Sequence, residues 1–175
     1  MRFIMFYFVR HGKTDYSERN TGIYQGFGVN LAPLSEKGIH QISKAAGDPR
    51  LAGADLILCS PYTRAVQSAA ILSKKLKADI RVETDLHEWV ADTGYRAVTD
   101  DEEDAAYEAY IRNQGKHSSD SERWEEKDVL RSRVLNVLKK YAAFKKVIVV
   151  GHETMIRAVT NCEHIKCGTI VEFEL

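Results

Sequence analysis

Three short segments of the chain are apolar at every position: FIMFYFV at 3–9, LILC at 56–59 and VIVV at 147–150. A strand with one face in water alternates apolar and polar residues. A strand that does not alternate buries both faces, and that needs helices packed on each side of the sheet. Helical periodicities separate the runs, so the pattern predicts an α/β fold, a three-layer α/β/α sandwich with a mainly parallel, mixed sheet.

The connecting segments fill in the layers. Ser35 is placed as the cap of a helix carrying Ile39, Ile42, Ala45 and Ala46, which Gly47, Asp48 and Pro49 end. Ser60 is placed as the N-cap of a second helix, with Pro61 at its first position and Ala65, Ala69, Leu72 and Leu76 on one face as far as about Lys77. DIRV (Asp79 to Val82) reads as a weaker strand. Glu126 to Ala143 reads as an amphipathic helix with Val129, Val134, Val137, Leu138 and Tyr141 on one side. A helix from about Thr154 to Val159 follows VIVV. TIVEFEL then follows a connection too short for a long helix, so it is expected as an antiparallel edge strand.

The chain has 175 residues, and its 25 basic residues equal its 25 acidic ones. One domain over 1–175 is expected, with a variable acidic insertion at about 98–128. A formal net charge of zero gives no electrostatic case for nucleic-acid or membrane binding. The first apolar run is closed by Arg10, well short of a membrane span, and no secretory leader is read ahead of it. Cys59, Cys162 and Cys167 have no metal-knuckle spacing and read as reduced thiols, so a cytoplasmic location is expected.

In an open α/β sheet, ligands bind outside the carboxyl ends of the strands. The first end carries Arg10, His11 and Gly12. The second carries Ser60 and, one helical turn on, Arg64. VIVV ends in Gly151, His152 and Glu153. Two arginines and two histidines thus converge on one edge beside helix N-termini, which favour anions. The expectation is an anion pocket holding two imidazoles. A metal site of His11, His152 and Glu88 is the rival, but Arg10 and Arg64 beside it would repel a divalent cation.

Other motifs fail on spacing. A P-loop ending at Gly12-Lys13-Thr14 would need a glycine where Tyr7 stands. GIYQGFG lacks the dinucleotide spacing. HETMI and HEWVA carry Ile156 and Ala91 where a zinc motif needs its second histidine, and there is no GxSxG.

Taken in order, VRHGKT, YQG…LAPLSEKGIHQ, SPYTRAVQSA, LHEW…G (86–94) and VIVVGHETMIR resemble the motifs of the histidine phosphatases, also called the phosphoglycerate mutase-like superfamily. The resemblance implies that His11 is a nucleophile forming a phosphohistidine. It implies that Arg10, Arg64 and His152 hold the phosphoryl oxygens, with Gly12 and Ser17 also among the phosphate-binding positions. Glu88 would be the general acid and then the base. No metal or organic cofactor is implied, and the partner is a small phosphorylated substrate or a phosphoprotein. A phosphatase is favoured over a phosphoglycerate mutase or a non-catalytic phospho-ligand-binding relative, because a mutase must also shield its phosphoenzyme and hold a second substrate. The chain departs from the pattern at Lys13, where a carboxylate or amide is usual, at Ser17, where asparagine is usual, and at Glu153, where glycine is usual.

The remaining histidines, His40, His87, His117 and His164, read as structural. Glu83, Asp85 and Asp92 are near rivals of Glu88, which the family pattern prefers. The acidic stretch Asp100 to Asp128 reads as solvated surface. The sharper expectation is a cap over the mouth of the pocket.

Overall fold

The computed structural model describes residues 4–18 and 28–175. Phe3 and most of the glycine-punctuated loop, including Tyr24-Gln25-Gly26, lie outside the described residues. Five strands, β1 (Met5–Arg10), β2 (Leu56–Cys59), β3 (Asp79–Val82), β4 (Lys146–Gly151) and β5 (Ile170–Glu174), form one sheet in the order β3-β2-β4-β1-β5. The β1–β4, β2–β4 and β2–β3 pairs are parallel. β5 runs antiparallel to β1 at the edge, as expected.

The apolar runs are continuous because alternate residues serve two cores. Phe6, Phe8, Leu56, Leu58, Val147 and Val149 face one layer, where they meet Leu130, Val134 and Leu138 of α5 (Lys127–Lys140) and Met155 and Val159 of α6 (Glu153–Thr160). Val9, Ile57, Cys59, Ile148 and Val150 face the other layer. There they meet Ile42 and Ala45 of one helix (Glu36–Ala45) and Ala65, Ala69 and Leu72 of another (Thr63–Leu76). In chain order these are α2 and α3, after the short α1 (Gly28–Leu31) and before α4 (Asp100–Arg112). Phe6 and Phe8 are wholly buried, so truncating either to alanine should cost about 3–5 kcal/mol.

The helix stripes differ from the expected ones by a residue or so. In α2 the buried row passes through Gly38, Ile42 and Ala45, which leaves Ile39 45% exposed. In α5 it passes through Leu130, Val134, Val137 and Leu138, which leaves Val129 53% exposed and ends the helix at Lys140 rather than Ala143. Ser60 is not an N-cap: α3 starts at Thr63, its N-cap is Tyr62, and no side chain caps it. The Ser60 hydroxyl is taken up by the site instead.

Candidate phosphoryl-transfer site

The carboxyl ends of β1, β2 and β4 lie side by side, with Arg10 in register with Gly151 and Cys59 with Val150. The turn after β1 is held against the start of α2. A Cβ on Gly12 would come within 2.4 Å of the Gly38 carbonyl oxygen, and one on Gly38 within 2.2 Å of that of Lys13. Only two facing glycines permit that approach. The Lys13 N–H donates to Gln41 Oε1 (2.8 Å), and the Ser35 N–H donates to the Lys13 carbonyl (2.9 Å). The loop that aims His11 is therefore tied to a helix on both sides.

His11 is 6% exposed, and its backbone N–H donates to Gly151 O at 3.0 Å. Its Nδ1 lies 2.7 Å from the Gly12 carbonyl. A carbonyl only accepts, so Nδ1 carries the proton and Nε2 keeps its lone pair. Arg64 Nε donates to Nε2 at 3.3 Å. Burial, and behind it the Arg64 and Arg10 guanidiniums, pushes the imidazole down to about 3. The ring is neutral near pH 7, with its unprotonated Nε2 facing the fixed Arg64 guanidinium.

His152 is wholly buried, and its ring centroid lies 5.1 Å from that of His11 and 5.1 Å from that of Tyr62. Burial first, then Arg64, keeps it well below the ordinary histidine range. Its Nε2 is 2.7 Å from Ser60 Oγ, which already accepts the Tyr62 N–H at 3.3 Å. The Ser60 hydroxyl proton has no other acceptor among the described residues, so it is assigned to Nε2, which leaves Nδ1 as the N–H. That Nδ1 has no partner among the described residues, and neither does the buried Nε of Arg10. Buried donors are rarely left unpaired. Two of them on adjacent strand ends are a fit for anionic oxygens.

Arg10 directs NH1 to the Ile165 carbonyl and to Glu153 Oε2, each at 2.5 Å. Glu153, the unusual residue after His152, thus has its ion pair with Arg10. Arg64 is anchored by NH1 to Val29 O (2.6 Å), with its guanidinium 5.0 Å from the centre of the Tyr62 ring.

Glu88 sits where the chain passes the first turn of α6. Its carboxylate accepts three backbone N–H groups: Trp89 (2.8 Å) and Met155 (2.9 Å) on Oε1, and Thr154 (3.1 Å) on Oε2. Burial pushes the carboxyl up, although these three bonds and the Arg64 charge pull the other way. Two of its rivals are engaged elsewhere. Glu83 binds Tyr141 and Lys140, and Asp92 binds Arg96.

His11, His152, Arg10, Arg64, Gly12 and Glu88 are thus gathered around three strand ends. Ser17 is exposed, its N–H donates to Asp15 Oδ1 (3.0 Å), and none of its described contacts is with either histidine. Among the described residues no three His, Cys, Asp or Glu side chains gather in a metal-holding group. Sequence reasoning missed Ser60 and Tyr62 as partners of His152. It also set His87 aside, whose ring lies 6.4 Å from Tyr62 and whose Nδ1 donates to Glu88 O at 2.6 Å. The position of His87 directly before Glu88 was the available signal.

The acidic segment is more than solvated surface. Tyr107 and Tyr110 of α4 pack on Trp89 with centroids 5.5 Å away, and Trp124 packs on Tyr110. The segment therefore backs the loop that carries Glu88. Its acidic first turn, Asp100 to Glu103, is exposed.

The layered sandwich and its anion-fitted strand edge define an α/β protein of the phosphoglycerate mutase-like fold. A family model, the histidine phosphatase superfamily (branch 1), matches residues 6–167, and the chain belongs to that family. It is similar to a phosphoglycerate mutase of Bacillus anthracis str. Sterne: TM-score 0.73, 16% identity, 99% of this chain and 88% of that one covered. It is also similar to a mycobacterial glucosyl-3-phosphoglycerate phosphatase: TM-score 0.63, 24% identity, 90% of this chain and 78% of that one. A curated relative, agropine synthesis reductase of Rhizobium rhizogenes, is 38% identical over 73 residues, which cover 38% of this chain and 17% of that protein. No helix among the described residues is long and apolar enough to cross a membrane.

Proposed function

We propose that the protein is a phosphatase that hydrolyses phosphomonoesters through a phosphohistidine on His11. The observation that carries this reading is the bond from His11 Nδ1–H to the Gly12 carbonyl (2.7 Å), which keeps Nε2 unprotonated inside an arginine-lined pocket. Nε2 attacks phosphorus, the P–O bond to the ester oxygen breaks, and protonated Glu88 gives its proton to the leaving alkoxide. Water then attacks phosphorus while the Glu88 carboxylate takes a proton from it, and the P–N bond breaks with its electron pair returning to Nε2. Inorganic phosphate leaves, and His11 is restored. Arg10, Arg64 and the His152 N–H stabilise charge on the non-bridging oxygens, the main protein contribution in phosphoryl transfer.

The raised Glu88 carboxyl supports the acid role, because burial keeps its proton on to higher pH than usual. The phosphatases and the mutase among the structural neighbours agree with phosphomonoester chemistry. The test is hydrolysis of p-nitrophenyl phosphate with excess chelator. Turnover is expected with wild type and none with His11→Ala, and a trapped intermediate should be acid-labile and base-stable. A requirement for added metal, or activity retained by His11→Ala, overturns the proposal. Transfer of the phosphoryl group to a hydroxyl acceptor in preference to water would make the protein a mutase.

A further inference from the structure

Arg133, on α5, offers five N–H donors, and the structure accounts for all of them. Nε and NH2 clasp the Glu125 carboxylate in a fork, at 2.6 and 2.8 Å. NH1 donates to the Asp85 carbonyl (2.6 Å) and to the His87 carbonyl (2.9 Å), and NH2 donates to the Glu88 carbonyl (3.1 Å). No donor is left for a substrate. The guanidinium is spent on one acidic partner and on the backbone of the turn that ends in Glu88.

Glu125 is itself fixed. It is 4% exposed, its N–H donates to Val90 O (2.9 Å), and its carbonyl accepts the Trp89 indole N–H (2.7 Å). The turn from Asp85 to Val90 is thus clamped between α5 and the segment before it. The Glu88 side chain reaches across to the first turn of α6, where it meets the Thr154 and Met155 N–H groups. Backbone held from one side and carboxylate held from the other leave little freedom at the carboxyl group.

We infer that the Arg133–Glu125 pair is the device that positions Glu88 for proton transfer, a positioning role and not a substrate-binding one. The inference rests on the proposed acid role of Glu88. A proton donor must sit within hydrogen-bond reach of the leaving oxygen, and displacement of about 1 Å costs on the order of 100-fold.

The leaving group separates positioning from mere scaffolding. p-Nitrophenolate departs well without a proton, whereas an alkoxide does not. The experiment measures kcat/KM for p-nitrophenyl phosphate and for glycerol 2-phosphate on the same preparations, so the ratio cancels any loss of folded enzyme. Arg133→Ala should lower the alkyl value by about 30-fold and the aryl value by less than about 3-fold. Arg133→Lys restores a charge but not the fork, and should fall between. Glu125→Gln keeps the shape and should lower the ratio by about 3-fold.

Equal losses on both substrates in Arg133→Ala, or in Arg133→Lys if the alanine variant does not fold, overturn the inference. Glu88→Gln is run alongside and should show the same selective loss. An unchanged ratio there overturns the acid role itself, and the inference with it. A selective loss in Glu88→Gln without one in the Arg133 variants overturns the positioning role alone.

Discussion

Acid should unfold this protein partly through His11, by an amount that can be worked out. The imidazole has an ordinary value of 6.5 and is pushed down to about 3 in the folded chain, mainly by burial and then by Arg64. The folded state therefore binds fewer protons than the unfolded state between those values. The stability tied to a neutral His11 is whole above about 6.5 and is lost as the pH falls towards 3. Between about pH 7 and about pH 4.5 the loss integrates to about 2.5 kcal/mol. His152 adds a contribution of the same sign, while Glu88, pushed up by burial, adds one of the opposite sign. His11→Asn removes the first term and keeps a donor near the Gly12 carbonyl. Urea unfolding followed by tryptophan fluorescence suits the measurement, because Trp89 and Trp124 are 6% and 3% exposed. Over the same pH interval the variant should lose about 2.5 kcal/mol less than wild type. Equal losses in the two proteins would refute the claim that His11 is buried neutral.

Three further perturbations follow from the site. Gly12→Ala places a methyl group 2.4 Å from a backbone oxygen that has no side-chain slack, and thermal melting should show about 2–3 kcal/mol of destabilisation together with lost turnover. Arg64→Ala removes the guanidinium proposed to stabilise the phosphoryl oxygens, and kcat/KM for p-nitrophenyl phosphate should fall by about 100-fold to 1,000-fold; a loss under tenfold would count against that role. Glu153→Ala removes the carboxylate paired with Arg10, so inorganic phosphate should inhibit at about tenfold lower concentration, and an unchanged inhibition constant would show that the pair does not compete with phosphate.

How far the sequence could be read depended on whether a residue's role was local. β1, β2 and β4 were legible because each contains an unbroken apolar run, a pattern that burial on both faces enforces. The helix rows were misplaced by about a residue: at Ile39 because the glycine Gly38 serves as a buried position, and at Val129 because the buried row of α5 runs through Leu130 instead. Ser60 was misread for a related reason. Ser-Pro before a helix has the composition of a cap, yet the chain takes two more residues to reach helical geometry, and the hydroxyl turns to His152.

The pocket itself was legible to the extent that its groups end strands. Arg10, His11 and His152 are fixed by the sheet, and Arg64 is fixed at the second position of α3, which follows β2. Glu88 belongs to no strand or helix, so no periodicity pointed to it, and only the family pattern did. What holds it in place is further from view still. Arg133 lies 45 residues away from Glu88 along the chain. On sequence alone Arg133 is an ordinary surface arginine of an amphipathic helix, and Glu125 is one more carboxylate in an acidic run. Their meaning comes from α5 packing beside the turn, which delivers five fixed donors to three carbonyls and a carboxylate. A buried fork of this kind costs desolvation and contributes little stability by itself. Its place behind the proposed general acid is accounted for by what a displaced carboxyl would cost the proposed reaction, and for that reason the alkyl-to-aryl ratio is the measurement that bears on Arg133, not a melting temperature.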